Sequence, residues 1–124
     1  MAFPVLDIVC LCADWCTTCR EYEPTFKALK QAWHAHRCRW IDIEDEADLA
    51  GDIDAETFPT LLVALHGQVL FAGPVLPHLS DARRLIEAQL ERASAGDVSW
   101  PAGRQLAPDQ VAAFTALARA LSPT

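Results

Sequence analysis

The chain has 124 residues, 52% of them hydrophobic, and a formal net charge of −7. This length and composition suit a single compact domain with a core of its own. The acidic balance argues against nucleic acid as a main partner, and no apolar stretch approaches the roughly 20 residues that span a bilayer. The N-terminus has no basic region of the kind that opens a signal peptide, so the sequence predicts a cytoplasmic protein without a membrane span.

The first predicted elements are a buried strand and a long helix. Residues 5–12 form an apolar run without a breaker, which is typical of a buried strand. A helix is predicted over residues 19–36, where Pro24 should introduce a kink. Apolar residues recur along it at spacings of three and four: Tyr22, Phe26, Leu29 and Trp33.

The later elements include a hairpin and two further helices. In chain order we predict a short strand, one or two helical turns, two hairpin strands, a helix, a connector and a last helix, over residues 39–43, 47–52, 60–65, 68–72, 80–93, 95–107 and 108–121. His66-Gly67 suits the hairpin turn. Ser80 suits a helix cap, and Pro108 suits the first position of the last helix.

This element order predicts an α/β fold. The strand–helix–strand start implies a parallel pair with a crossover, and the hairpin adds an antiparallel part. The expected result is a mixed four-stranded sheet with helices on both faces. We expect one domain over residues 1–94, a connector over 95–107, and a helix over 108–121 that packs on the same domain.

Cysteines are the main chemical feature of the chain. There are five, and an odd number cannot pair completely within one chain, so one redox pair with three reduced thiols fits better than a disulfide scaffold. Cys16 and Cys19 are separated by two residues, follow the first strand and open the first helix. The unpaired N–H groups and the dipole of a helix N-terminus favour thiolate, which is the nucleophile in disulfide exchange.

A metal site is the alternative interpretation of this cysteine pair. A zinc site usually has four ligands, often from a second cysteine pair or a pair of histidines. His34 and His36 are two residues apart and do not share a helix face. We therefore predict no metal and no other cofactor.

Four features resemble the thioredoxin superfamily. They are residues 13–19 (Ala-Asp-Trp-Cys-Thr-Thr-Cys), the helix-kinking Pro24, residues 57–60 (Thr-Phe-Pro-Thr) before a strand, and Gly67 in the hairpin. The resemblance covers about residues 5–93. The Ala-Asp-Trp-Cys spelling is also similar to the C-terminal thioredoxin-like domain of bacterial transmembrane thiol reductases.

The resemblance implies roles for five residues. Cys16 would be the nucleophile and Cys19 the more buried resolving cysteine. Pro59 would be cis, and Trp15 and Phe58 would form an apolar platform for substrate, with the Phe58 backbone pairing to an extended substrate strand. The implied activity is protein-disulfide exchange, in the reducing direction in the cytoplasm, with protein disulfides and an upstream thiol reductant as partners of a monomer.

The chain departs from the superfamily pattern in several places. The usual first strand and helix before the active-site strand are missing. Thr-Thr separates the two cysteines. Cys10 stands where thioredoxin has a buried carboxylate, and Trp40 stands near the position of the lysine that pairs with that carboxylate. No general base is therefore carried over from the superfamily. Glu23 and Asp42 are candidates to replace that carboxylate.

The remaining cysteines leave two interpretations open. Cys10 and Cys12 share one face of a strand, and they are either inert buried thiols or a reserve in which Cys10 exchanges with Cys19. Cys38 is predicted to be a bystander. For the whole protein, the alternatives to a general oxidoreductase are a binding module whose cysteines act as a switch or a Cu(I) site, and a reductase dedicated to one client.

The last helix is expected to replace the missing first helix. Without that first helix one sheet face would be bare. An apolar stripe on the last helix could cover it: Val111, Phe114, Leu117 and Leu121.

Overall fold

A four-stranded mixed sheet forms the centre of the protein. The computed structural model describes residues 5–13, 15–53, 59–75, 78–97 and 107–122. The strands lie in the order β2-β1-β3-β4; β1 is parallel to β2 and antiparallel to β3, and β3 is antiparallel to β4. In chain order they are β1 (Asp7–Cys12), β2 (Arg37–Asp42), β3 (Thr60–Leu65) and β4 (Gln68–Pro74). The predicted mixed sheet is thereby confirmed.

Within these described ranges, four helices accompany the sheet: α1 (Thr17–Ala32), α2 (Ala47–Ala50), α3 (Leu79–Ser94) and α4 (Pro108–Leu121). Helix α1 ends before the predicted residue 36, because the backbone of Trp33 leaves helical geometry and the next residues turn towards β2. The expected cap Ser80 lies inside α3, whose N-cap residue is His78. The bounds of α4 agree with the prediction.

Both faces of the sheet are covered, which explains why β1 is apolar from Ile8 to Cys12. Ile8, Cys10 and Cys12 join the core on the α1 and α3 side. Val9 and Leu11 join a second core cluster on the opposite side. Every residue of β1 is buried.

Helix α4 packs on the face opposite α1 and α3. Phe114 and Leu117 of the expected stripe are buried there, and Leu121 is partly buried against the same cluster. Two small residues of α4, Ala113 and Ala118, are also buried in this contact. The division into segments 1–94, 95–107 and 108–121 stays a prediction.

An ion pair joins the starts of the two parallel strands. Asp7 stands opposite Arg37 in the β1–β2 register, and the guanidinium donates to both carboxylate oxygens, with an Nε to Oδ1 distance of 2.6 Å. Asp7 is 4% exposed, whereas the Arg37 side chain is 40% exposed. The pair therefore neutralises a buried carboxylate where β1 begins.

Candidate redox site

Cys16 lies at the opening of α1. It is the N-cap residue, with extended backbone angles of φ −85° and ψ 116°. Its amide donates to the carbonyl of Ala13 at 3.0 Å, and its carbonyl accepts from the amide of Arg20 at 3.2 Å. The side chain is partly exposed. The sulfur is thus accessible at the helix end where free amide groups favour negative charge.

Cys19 lies in the first turn of α1 and is bonded to Cys12. The two Cα atoms are 5.7 Å apart, within the usual range for a disulfide. Both residues are 1% exposed. The sequence pairs Cys19 with Cys16, whereas the structure joins it to the last residue of β1 and leaves Cys16 as a free thiol. Cys12 can reach it because its side chain points to the sheet face on which α1 packs.

A third sulfur, that of Cys10, continues this row inside the core. Its Sγ is 3.8 Å from Cys12 Sγ, and since the disulfide leaves Cys12 without a proton, the Cys10 thiol is the donor. Cys10 is fully buried, and burial raises its pKa. The neighbour of Cys19 is therefore Cys12, not the Cys10 of the reserve-thiol hypothesis.

Cys38 stands apart from this row, at the start of β2. Its thiol donates to the carbonyl of Trp33 at 3.9 Å. Burial raises its pKa, and the nearby Lys30 acts in the opposite direction. These contacts belong to the end of α1 remote from Cys16.

Trp15 presents an exposed aromatic ring next to Cys16. It is 61% exposed, and its Nε1 donates to Glu44 Oε1 at 2.9 Å. Phe58, the other expected member of the platform, lies outside the described residues, as does Asp14. Of the two expected platform residues, the described part of the chain thus contains Trp15.

Pro59 lies at the same end of the sheet as the cysteines. Thr60 pairs with Leu11 in the antiparallel ladder, so Pro59 stands beside the end of β1 that carries Cys12. It is buried, and its carbonyl accepts from the amide of Val75 at 3.1 Å. The cis form stays a prediction.

Both carboxylates considered as replacements for the missing one border a pocket with Cys19. The pocket holds about 60 Å³ and is lined by Ala13, Cys19, Arg20, Glu23, Trp40 and Asp42. Asp42 Oδ1 already accepts from the amides of Glu44 and Asp45, at 2.9 and 3.2 Å. Glu23 is exposed and lies 3.8 Å from Lys27. Asp42 thus stabilises the turn that follows β2, and Glu23 faces solvent.

The described residues provide neither a metal-binding cluster nor a membrane-spanning helix. Across the described ranges, no three His, Cys, Asp or Glu side chains converge in a way that could bind a metal ion. Among the helices described, none has the length and apolar character needed to cross a membrane.

Fold and site together define a class of protein. A mixed α/β sheet carries an accessible cysteine at a helix N-terminus with a buried sulfur pair behind it, which is a thioredoxin-like fold with a cysteine site suited to thiol–disulfide exchange. The thioredoxin family model matches residues 5–75, more than half of the chain, and the chain belongs to this family. No curated protein matches it at a significant level.

Solved thioredoxin structures are similar to this chain. Fasciola hepatica thioredoxin is 20% identical with a TM-score of 0.62, over 69% of this chain and 82% of that chain. Mitochondrial thioredoxin 3 from Saccharomyces cerevisiae, in its oxidized form, is 20% identical with a TM-score of 0.59, over 68% and 79%. The complex of ferredoxin:thioredoxin reductase and thioredoxin f2 gives 19%, a TM-score of 0.60, and coverage of 68% and 77%. At these identities the likeness concerns the fold alone.

Sequence reasoning missed Cys12 as a member of the site. The available signal was its position as the last residue of β1, on the same strand face as Cys10. That position is the closest point of the strand to the start of the next helix. Composition alone makes Cys12 look like one more buried apolar residue.

Proposed function

We propose that this protein is a thiol–disulfide oxidoreductase that reduces protein disulfides through Cys16 and Cys19. One observation carries the proposal: Cys16 is a partly exposed N-cap residue with a free thiol, and Cys19 is buried one helical turn further on. Such a pair separates the attacking thiolate from the resolving one. The exposed Cys16 can contact the substrate disulfide, and the buried Cys19 is kept from solvent until it attacks the mixed disulfide.

The proposed cycle begins with both cysteines reduced. The Cys16 thiolate attacks one sulfur of a substrate disulfide, the substrate S–S bond breaks, and one substrate thiolate leaves and takes up a proton. Cys19, as thiolate, then attacks Cys16 Sγ and releases the second substrate thiolate. The substrate has gained two electrons, and Cys16–Cys19 is left oxidised. A dithiol reductant restores the pair.

Substrate would meet the protein around Trp15 and Pro59. Trp15 supplies exposed apolar area beside the nucleophile, and Pro59 lies at the same end of the sheet. The family resemblance adds Phe58, whose backbone would pair with an extended segment of substrate. A stretched, locally unfolded peptide around a disulfide is the substrate shape that suits this surface.

The physiological reductant is proposed to be a protein. One solved relative in fold is a thioredoxin in complex with ferredoxin:thioredoxin reductase, and a reductase of that general kind would serve this chain. We propose that the protein is a monomer and that it acts in the cytoplasm, where thiol pools keep such cysteines reduced.

Reduction of insulin by dithiothreitol tests the proposal. Wild type should accelerate insulin precipitation, and Cys16→Ser should abolish the acceleration. Cys38→Ser is the matched control, because Cys38 is a free, partly buried cysteine at the remote end of α1, and it should behave as wild type. Wild-type protein that forms mixed disulfides stoichiometrically without turnover would instead favour a binding module with a redox switch.

A further inference from the structure

We propose that Cys12 is a third redox-active cysteine, which displaces Cys16 from its disulfide with Cys19. The disulfide of the oxidised protein then lies inside the core, between Cys12 and Cys19. The inference rests on the proposed function, because it concerns what becomes of Cys19 after turnover. Oxidised protein would then carry Cys12–Cys19 and regain Cys16 as a free thiol. The site would be a relay of three cysteines, not an isolated pair.

Cys19 has one cysteine close to it in sequence and another bonded to it from the sheet. Cys16 is the N-cap residue of α1 and precedes Cys19 by three residues, at the opening of the same helical turn. Cys12 is bonded to Cys19 from the strand side. Cys16 also packs against the core cluster that contains Cys12 and Cys19. Cys19 therefore lies between an accessible sulfur and a buried one.

The transfer is an internal thiol–disulfide exchange. Cys12, as thiolate, attacks Cys19 Sγ of the Cys16–Cys19 disulfide; the Cys12–Cys19 bond forms, the Cys16–Cys19 bond breaks, and its electron pair leaves with Cys16. The proton released by Cys12 balances the one that Cys16 takes up. No oxidant or reductant is consumed, since two electrons stay missing from the three sulfurs throughout.

Cys10 supports this exchange without joining it. Its thiol donates to Cys12 Sγ at 3.8 Å, so the sulfur that attacks has a hydrogen-bond donor in an otherwise apolar core. Burial raises the pKa of Cys10 and keeps that donor protonated. The chain thus supplies a polar contact where the buried sulfur must change its bonding.

The transfer would change what the oxidised protein can do. A Cys12–Cys19 bond with both residues 1% exposed is shielded from direct attack by external reductants, because exchange requires access to a sulfur. A dithiol reductant acts after the reverse exchange has returned the disulfide to the accessible Cys16, so turnover continues. Cys16 stays partly exposed and able to attack. Its mixed disulfides would then lack a resolving thiol, so oxidised protein would exchange disulfides among client thiols instead of reducing them.

Disulfide mapping of the oxidised wild type tests the inference directly. The protein is oxidised with one equivalent of diamide, quenched in acid, labelled with N-ethylmaleimide at mildly acid pH, and cleaved before Asp14 and after Arg20. These cuts separate residues 7–13, with Cys10 and Cys12, from residues 14–20, with Cys16 and Cys19. We expect the two peptides to be disulfide-linked, with the label on Cys10 and Cys16.

Three variants sharpen the test. Cys12→Ala should abolish the linked peptides, place the disulfide within residues 14–20 and remove the Cys16 label. Cys10→Ala, which truncates a buried cysteine on the same strand face, should keep the linked peptides. Cys16→Ser should also keep them, because Cys12 and Cys19 remain. Circular dichroism of each variant shows that it is folded.

The two proposals fail in different ways. A wild type that reduces insulin yet yields only a disulfide within residues 14–20 overturns the relay and leaves the proposed function standing. A Cys16→Ser protein as active as wild type overturns the proposed function. Oxidised Cys16→Ser without any internal disulfide also overturns the relay.

Discussion

The indole of Trp15 is held by Glu44, whose Oε1 accepts a hydrogen bond from Nε1 at 2.9 Å. This contact ties the residue before Cys16 to the turn that follows β2. Both side chains are exposed, so the bond contributes little to folding and acts chiefly by limiting where the ring can lie.

We expect Glu44→Ala to weaken protein substrate binding more than folding. The KM for insulin should rise about two- to fivefold, the equivalent of one modest hydrogen bond, while kcat stays near the wild-type value. Glu44→Gln keeps an acceptor oxygen and is the matched control. Steady-state insulin reduction measures the effect, and a small aromatic disulfide serves as a second substrate. An equal loss with both substrates would contradict a role in binding extended protein.

Removal of Arg37 should destabilise the fold more than neutralisation of Asp7. Arg37→Gln leaves a buried carboxylate without its guanidinium and should reduce the free energy of unfolding by about 1–3 kcal/mol. Asp7→Asn removes the charge and should have a smaller effect, and the double variant should resemble it. Urea unfolding gives the three values. Equal losses in the two single variants would show that the buried charge has no special weight.

Stability should fall in mild acid because of His36. Burial lowers its pKa, and its Nδ1 accepts from the amide of Leu6 at 2.9 Å. Since the unfolded chain protonates near pH 6.5 and the folded chain only at lower pH, the unfolded state binds more protons in that window. The free energy of unfolding should therefore decrease as pH falls below about 6.5 and increase as pH rises through it.

Urea midpoints from pH 5 to 8 test this pH dependence. His36→Asn keeps an acceptor for the Leu6 amide and should flatten the slope, whereas His34→Asn, at an exposed position, should leave it unchanged. Parallel curves for wild type and His36→Asn would rule out His36 as the source.

Tyr22→Phe should be neutral or stabilising. Tyr22 is 1% exposed, and its hydroxyl has no hydrogen-bond partner among the described residues. Burial raises its pKa to about 12, with smaller contributions from Cys10 and Asp81. An unsatisfied buried hydroxyl costs about 1–3 kcal/mol, so its removal should raise the urea midpoint or leave it unchanged. A clear loss of stability would show that the hydroxyl has a partner.

Leu117→Ala tests the contribution of α4. Leu117 is 1% exposed in the cluster with Val9, Leu11 and Leu62, and its truncation should reduce the free energy of unfolding by about 2–5 kcal/mol. Ala116→Ser, at the exposed neighbouring position, is the control. Indistinguishable unfolding curves for the two variants would mean that α4 does not stabilise the sheet.

Much of the fold could be predicted from the spacing of apolar residues and from turn-forming residues such as Gly67. The apolar run of β1, the stripe of α1 and the His66-Gly67 turn each carry a local signal, and the order of these elements then restricts the topology. The ends of helices are harder to predict from sequence. Helix α1 stops at Trp33 because the chain must turn back to pair Arg37 with Asp7, which is a tertiary requirement.

Only those parts of the site that depend on neighbouring residues in sequence could be predicted. Cys16 at the helix start follows from its neighbours, but the choice of partner for Cys19 depends on how closely β1 and α1 approach. Spacing along the chain favours the nearer cysteine in sequence. Packing brings in Cys12, seven positions away, and no local pattern encodes that approach.

Strand β2 forms one edge of the sheet, and within the described residues no further strand pairs with its outer side. Arg37 and Arg39 lie on the same face of this short strand in ion pairs with Asp7 and Glu46, so a second copy that joined here edge to edge would have to accommodate two charged pairs from each molecule. Charged edge strands oppose such joining. Charged residues on this edge therefore oppose templated growth into fibrils next to β1, which is apolar from Ile8 to Cys12.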